Sequence, residues 1–129
     1  MAQLREAHHL KLMVSVWSKF DRKTSFYKAM AADGCLLNGS NYYDAWSSAA
    51  RERFYSFSKA AHFAIGVESL WLDATEPENF PNRDQRCAGP SGSGNADFNS
   101  YSLQTTRAIA DGLRRDFGDS QGRRVFSLT

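Results

Sequence analysis

One apolar run in this chain ends in an acidic side chain. Val67 to Asp73 reads VESLWLD, and Asp73 follows Trp71 by two residues. A carboxylate at the end of an apolar strand would sit at the mouth of a barrel of parallel strands, where functional groups collect. There it can attack an anomeric carbon, and aromatic rings nearby can stack on a sugar face. Asp73 can equally well cap the turn that follows, so two readings stand. Glu76 is either a second acid or a group that orients Asp73 through hydrogen bonds. Glu68 lies near the start of the same run, at the wrong end for catalysis, and reads as structural or solvent-facing. A second run, Leu10 to Trp17 (LKLMVSVW), ends on Trp17, with Phe20 close behind. Trp17, Phe20, Trp46 and Trp71 are the aromatic residues to test for sugar stacking. The rest of the 13 % aromatic content reads as core packing.

Other chemistry is poorly supplied. His8, His9 and His62 are not spaced as metal ligands, so no metal site and no cofactor are expected. The run Gly89 to Gly94 lacks the Lys-Ser/Thr ending of a phosphate loop and does not directly follow a strand. Cys35 and Cys87 are too few for a disulfide-stapled fold or a four-cysteine zinc site and read as free thiols. The 16 basic and 14 acidic residues leave a formal charge of +2 with no basic block, which argues against nucleic acid as a partner. No apolar run approaches the roughly 18 residues of a membrane span. Met1 to Leu10 holds no signal-peptide core, and the compartment stays open.

The elements that must position these residues follow from periodicity. Leu10, Leu12, Val14 and Val16 alternate with Lys11, Met13, Ser15 and Trp17, which predicts a strand over 10–17. Asp33-Gly34 and Asn38-Gly39 are turn signals, and a short helix is expected near 25–31. Asp44 is placed to cap a helix. Behind it, Trp46, Ala50, Phe54, Phe57 and Ala61 form one apolar stripe running to about Phe63, and Gly66 ends the pattern. The strand over 67–73 stops before Pro77, which has no amide hydrogen to give a ladder. Residues 79–97 read as a long flexible loop. Asn99 is placed to cap a second helix with the stripe Leu103, Thr106, Ile109 or Ala110, and Leu113, ending near Phe117 and Gly118. Arg124 to Leu128 is a final short strand.

At 129 residues, with 42 % apolar and 23 % charged residues, the chain fits one folded domain. The order strand, helix, strand, helix, strand predicts an α/β fold with parallel strands and right-handed crossovers. Three strands make a very small parallel sheet. The chain also stops within a residue of its last strand, so both ends are expected to be truncation boundaries. A (β/α)₈ barrel takes about 250 residues, and the whole chain, 1–129, is expected to be part of one such domain.

Several segments resemble glycoside hydrolase family 31. Leu12-Met13-Val14-Ser15-Val16-Trp17-Ser18-Lys19-Phe20 is similar to the family's third-strand signature. Trp71-Leu72-Asp73-Ala74-Thr75-Glu76-Pro77-Glu78 resembles its nucleophile motif at the end of the fourth strand. Tyr43-Asp44-Ala45 leads into a helix, Phe98-Asn99-Ser100-Tyr101-Ser102-Leu103 opens the next, and Arg124-Val125-Phe126-Ser127-Leu128-Thr129 is similar to the fifth strand. The matches keep the family's order and spacing over nearly the whole chain.

The resemblance implies a segment of a (β/α)₈ TIM barrel, about strands 3 to 5 with the intervening helices. It implies hydrolysis of α-glycosidic bonds with retention of configuration, and Asp73 matches the nucleophile. Retention needs two carboxyl groups about 5–5.5 Å apart. The family's acid is an aspartate on a later strand, and its sugar-binding arginine follows the fifth strand. Neither lies within this chain, so the isolated segment is expected to be inactive. The form Asp-Ala-Thr-Glu-Pro is more like the family's α-xylosidases, whereas many of its α-glucosidases carry Asp-Met-Asn-Glu. The substrates implied are therefore α-xylosides or α-glucosides, with Glu76 in support of Asp73 and with Trp17, Phe20 and Trp71 shaping the sugar pocket. Three residues depart from the pattern. Ser18 replaces the proline of Trp-Pro-x-Phe, and Glu68 and Leu70 stand where Asp and often Trp are common. Leu70 alters either a sugar contact or a packing contact. Two alternatives remain: a non-catalytic sugar-binding module, and an inactive truncated fragment, which would self-associate and melt without cooperativity.

Overall fold

The computed structural model describes residues 7–76, 90–91, 93–118 and 127–128. Three parallel strands form its sheet. They are β1 (Met13–Trp17), β2 (Ser69–Asp73) and β3 (Ser127–Leu128), in the spatial order β1-β2-β3. The connection from β1 to β2 carries the helices α1 (Ser25–Ala32) and α2 (Ser48–Ala61) and a 3₁₀ turn (Phe63–Ile65). The connection from β2 to β3 carries a single helical turn, α3 (Gly94–Asp97), a 3₁₀ turn (Phe98–Ser100) and the long helix α4 (Tyr101–Phe117). The expected alternation and the parallel pairing are both present.

One face of the sheet is buried under α2 and α4. Leu70 and Leu72 of β2 are buried, and Val14 and Val16 of β1 pack against the same core. From α2 this core takes Ala50, Phe54 and Tyr55. From α4 it takes Tyr101, Ala108 and Ile109. Tyr43 lies at its centre, its ring stacked on Phe54 at 4.6 Å between centroids. Buried phenols need partners. The Tyr43 hydroxyl donates to Thr105 Oγ1 (3.0 Å), and the Tyr101 hydroxyl donates to the Tyr43 carbonyl (2.9 Å). Burial pushes both phenols well above the usual tyrosine range, so they stay protonated and serve as donors.

Several element boundaries differ from those the pattern predicts. β1 begins at Met13 rather than Leu10, and Leu10 is exposed. β2 begins at Ser69, two residues later than expected. Asp44 does not cap α2. Its Oδ1 accepts from the Trp46 and Ser47 amides in a turn, and Ser47 is the cap, its hydroxyl accepting from the Ala50 amide. Asn99 does not cap α4 either, because the chain is already turning through α3, whose cap is Ser93.

The buried stripe of α4 is Tyr101, Thr105, Ala108, Ile109 and Gly112, and Leu103 is exposed. Of the expected stripe, Ile109 is buried and Leu113 packs against the core, but Leu103 is exposed, because the first turns are buried through Tyr101 and Thr105 instead. Tyr101 and Thr105 are buried through their hydrogen bonds with the Tyr43 segment. Gly112 lets α4 approach α2, since a Cβ there would run into the Tyr55 ring.

The two turn signals do form turns, with Gly34 at φ 65° and Gly39 at φ 64°, a region glycine enters without strain. Residues 94–97 of the expected loop form α3. Residues 77–89 and 92, including Pro77, Glu78 and Cys87, lie outside the described residues, as do Arg124 to Phe126 of the expected last strand.

Candidate active site

The pleat divides each strand between two environments. With Leu70 and Leu72 buried, Ser69, Trp71 and Asp73 must point to the opposite face. The same parity puts Met13, Ser15 and Trp17 on that face of β1. The parallel register pairs Ser15 with Trp71 and Trp17 with Asp73. Paired residues on adjacent strands are about 4.8 Å apart at the backbone. The structure thus brings Trp17, Trp71 and Asp73 together on the open face, with Trp17 and Asp73 the last residues of their strands. Trp17 is 50 % exposed and Trp71 49 %. Two large aromatic surfaces beside one carboxylate form a platform for a ring that is apolar on its faces and polar at its rim.

The turn after Asp73 is strained and held. Ala74 has φ 50°, the left-handed region, which costs a non-glycine residue roughly 1–2 kcal/mol. Three hydrogen bonds oppose that cost. The Ala74 amide donates to Asp73 Oδ1 (2.8 Å). The Ser18 hydroxyl, from the end of β1, donates to the Ala74 carbonyl (3.2 Å). The Ser102 hydroxyl, from the first turn of α4, donates to the Thr75 carbonyl (3.0 Å). Thr75 itself is buried, and its hydroxyl has no partner among the described residues. Strain and an unpaired buried group concentrated at one turn are characteristic of functional sites.

The remaining candidates fall elsewhere. Phe20 is buried, with its ring among Phe26, Tyr43 and Phe54 rather than beside the two tryptophans. Its backbone brings it back under the sheet end, where its amide donates to the Asn41 carbonyl (2.8 Å). Trp46 is a tie between helices. It packs on Phe98 and Tyr101, and its indole N–H donates to Ser100 Oγ (2.9 Å). Leu70 faces the helices, so its departure from the family pattern is a packing change and not a sugar contact. Glu68 lies before β2 and pairs with Lys11 at 3.9 Å. Glu76 is exposed, beyond Thr75. His62 closes α2, where burial holds its imidazole below the usual histidine range. Cys35 is a buried free thiol pushed up by burial. Among the described residues, no group of three or more His, Cys, Asp and Glu is placed to hold a metal ion, and no helix is long and apolar enough to cross a membrane.

Residue types and spacing did not single out Ser18 and Ser102 as anchors of this turn. The first is 56 residues from its partner and the second 27. Ser18 stood out only as a departure from a proline.

Parallel strands, helices over one face, and a carboxylate flanked by aromatics at the strand ends are what a segment of a (β/α) barrel domain presents. The Glycosyl hydrolases family 31 TIM-barrel domain matches residues 1–129, and the chain belongs to this family. It is 31 % identical over 133 residues to an alpha-xylosidase of Saccharolobus solfataricus, covering 98 % of this chain and 18 % of that protein. It is 28 % identical over 91 residues to an uncharacterized family 31 glucosidase of Pseudescherichia vulneris, covering 60 % of this chain and 17 % of that protein. The chain therefore spans less than a fifth of the length of these relatives. Its fold is shared with the family 31 alpha-xylosidase of Xanthomonas citri, with TM-score 0.78 and 25 % identity over 97 % of this chain and 16 % of the other. An alpha-xylosidase from a soil metagenome, solved with xylose, gives TM-score 0.76 and 22 % identity over 98 % of this chain and 20 % of the other. The three strands are a portion of a family 31 barrel.

Proposed function

We propose that this chain forms the third to fifth strands of a retaining α-glycosidase barrel that acts on α-xylosides or α-glucosides, with Asp73 as its nucleophile. The observation that carries the reading is the position of Asp73. It is the last residue of β2, on the open face, the ladder partner of Trp17 and two residues from Trp71. The Ala74 amide occupies Asp73 Oδ1, which leaves Oδ2 to attack the anomeric carbon. Attack forms the bond from Oδ2 to that carbon as the glycosidic bond breaks. A second carboxyl group, from a later strand by the family resemblance, protonates the leaving oxygen and then activates water to release the sugar. Trp17 and Trp71 support the ring by stacking. Phe20, enclosed in the core, shapes the pocket only from beneath, by fixing the chain after Trp17. Glu76 is the supporting carboxylate on the rim. The xyloside preference rests on Asp73-Ala74-Thr75-Glu76 and on relatives that are alpha-xylosidases.

The test is Asp73→Ala in the full-length protein, assayed on aryl α-xylosides and α-glucosides. Turnover should fall by at least about 10³-fold, with the protein still folding in a cooperative melt. Substantial residual hydrolysis would overturn the assignment. Binding of sugar oligomers by the wild type without any hydrolysis would identify a non-catalytic module instead.

A further inference from the structure

We propose that Ser18 is a positioning residue for the nucleophile, clamping the turn that aims the Asp73 carboxylate. The inference rests on the reading of Asp73 given above. Ser18 is fully buried at the end of β1, one residue after Trp17, the ladder partner of Asp73. Its hydroxyl donates across the sheet to the carbonyl of Ala74. Its own carbonyl accepts from the Tyr43 amide (3.3 Å). Ser18 is therefore fixed by the core and not by solvent.

Ala74 is the residue that needs holding. It is one of two non-glycine residues with positive φ among those described, and it is the one adjoining the carboxylate. Its amide orients Asp73 Oδ1 only while that φ is kept. Without the Ser18 hydroxyl, Ala74 relaxes toward negative φ; because the turn is tied at both ends, ψ of Asp73 turns the opposite way, the peptide plane between the two residues rotates, its N–H leaves Oδ1, and the carboxylate loses its aim. Ser102, donating to the next carbonyl, restrains the turn from the α4 side but does not touch Ala74. A proline at position 18 has no hydroxyl and cannot make this bond, so the clamp belongs to this chain's serine.

The experiment compares Ser18→Ala, Ser18→Cys, Ala74→Gly and the double variant Ser18→Ala/Ala74→Gly in the full-length protein, measuring kcat, KM and thermal melt for each. Cysteine fills nearly the same space with only a weak donor. Removing the hydroxyl should lower kcat about tenfold in both Ser18 variants while KM stays within about twofold, since misaim is felt in the transition state. Glycine adopts the left-handed region without strain, so Ala74→Gly should recover most of the loss in the Ser18→Ala background. A core role alone would lower the melting temperature without that rescue. Wild-type kcat in Ser18→Cys, or a loss that Ala74→Gly fails to restore, overturns the clamp. Full activity in Asp73→Ala would instead overturn the nucleophile assignment, so the two failures are distinguishable.

Discussion

Leu70 and Trp71 are adjacent in sequence and occupy opposite environments. Leu70 is 1 % exposed beneath the helices, whereas Trp71 is about half exposed on the face that carries Asp73. The two faces of β2 are built on different terms. The helix side is closed by aromatic stacking and buried phenol hydrogen bonds, with Tyr43, Phe54 and Tyr101 at its centre. The open side keeps large apolar rings uncovered and ends in a strained turn. The first face closes the core, and the second carries the candidate groups Asp73, Trp17 and Trp71. A strand can hold both because alternate residues never share a side.

The largest expected effect separates the faces outright. On the proposed assignment, Asp73→Ala should cut turnover by at least about 10³-fold while the protein still folds. Leu70→Ala should do the reverse. Truncating a buried leucine costs about 2–5 kcal/mol of unfolding free energy. Chemical denaturation of the intact protein should show that loss, with kcat of the folded fraction unchanged. A stability loss under about 1 kcal/mol would mean that the helix-facing core is not closed as described.

Trp71→Ala tests the other side of the same residue pair. Its ring lies on the face away from the helix-covered core, so KM for an α-xyloside should rise about tenfold, equivalent to ~1.4 kcal/mol. An unchanged KM would remove Trp71 from the sugar platform. Tyr43→Phe probes the buried face more finely. It deletes the donor to Thr105 and leaves a buried hydroxyl without that partner, which should cost about 1 kcal/mol in the same denaturation assay.

The smallest effect lies on the outer seam between α2 and α4. Asp116 accepts from Lys59 Nζ (2.8 Å) and from the Tyr55 hydroxyl (2.6 Å), and Arg115 pairs with Glu52 nearby. The Lys59 contact first, and then the Tyr55 hydroxyl, hold the Asp116 carboxyl at about 2, below its ordinary 3.8. Between those values the unfolded chain binds the proton and the folded chain does not. The stabilisation is therefore complete above about pH 4 and is lost as pH falls toward about 2. Asp116→Asn should flatten the dependence of melting temperature on pH in that window. Parallel curves for wild type and variant would show that the seam contributes nothing.

Much of this was legible from residue order. The alternation in β1, the end of β2 at Asp73 and the short helix over 25–32 follow from local periods and turn chemistry. The placement of the candidate site was half legible. That Asp73, Trp17 and Trp71 share one face at strand ends follows from alternation, whereas Phe20, with the same aromatic signal, is buried in the core and Trp46 packs against it. An aromatic ring reads alike in a pocket and in a core until the packing around it is known. The caps misled for a related reason. Asp44 and Asn99 are good capping residues, yet Ser47 and Ser93 sit where the chain actually enters its helices.

The sequence by itself determined the class of fold, its family resemblance and the position of the carboxylate, because strand parity and strand ends are local properties of the chain. Only the tertiary structure decided which serine holds Ala74 in its left-handed turn, which phenols are buried as donors and why residue 112 is glycine. Each of those depends on a partner brought close by folding: 56 residues away for Ser18 and 62 for Tyr43, and on a neighbouring helix for Gly112. No local pattern encodes such pairings, since they arise when the helices close over one face of the sheet and leave the other open.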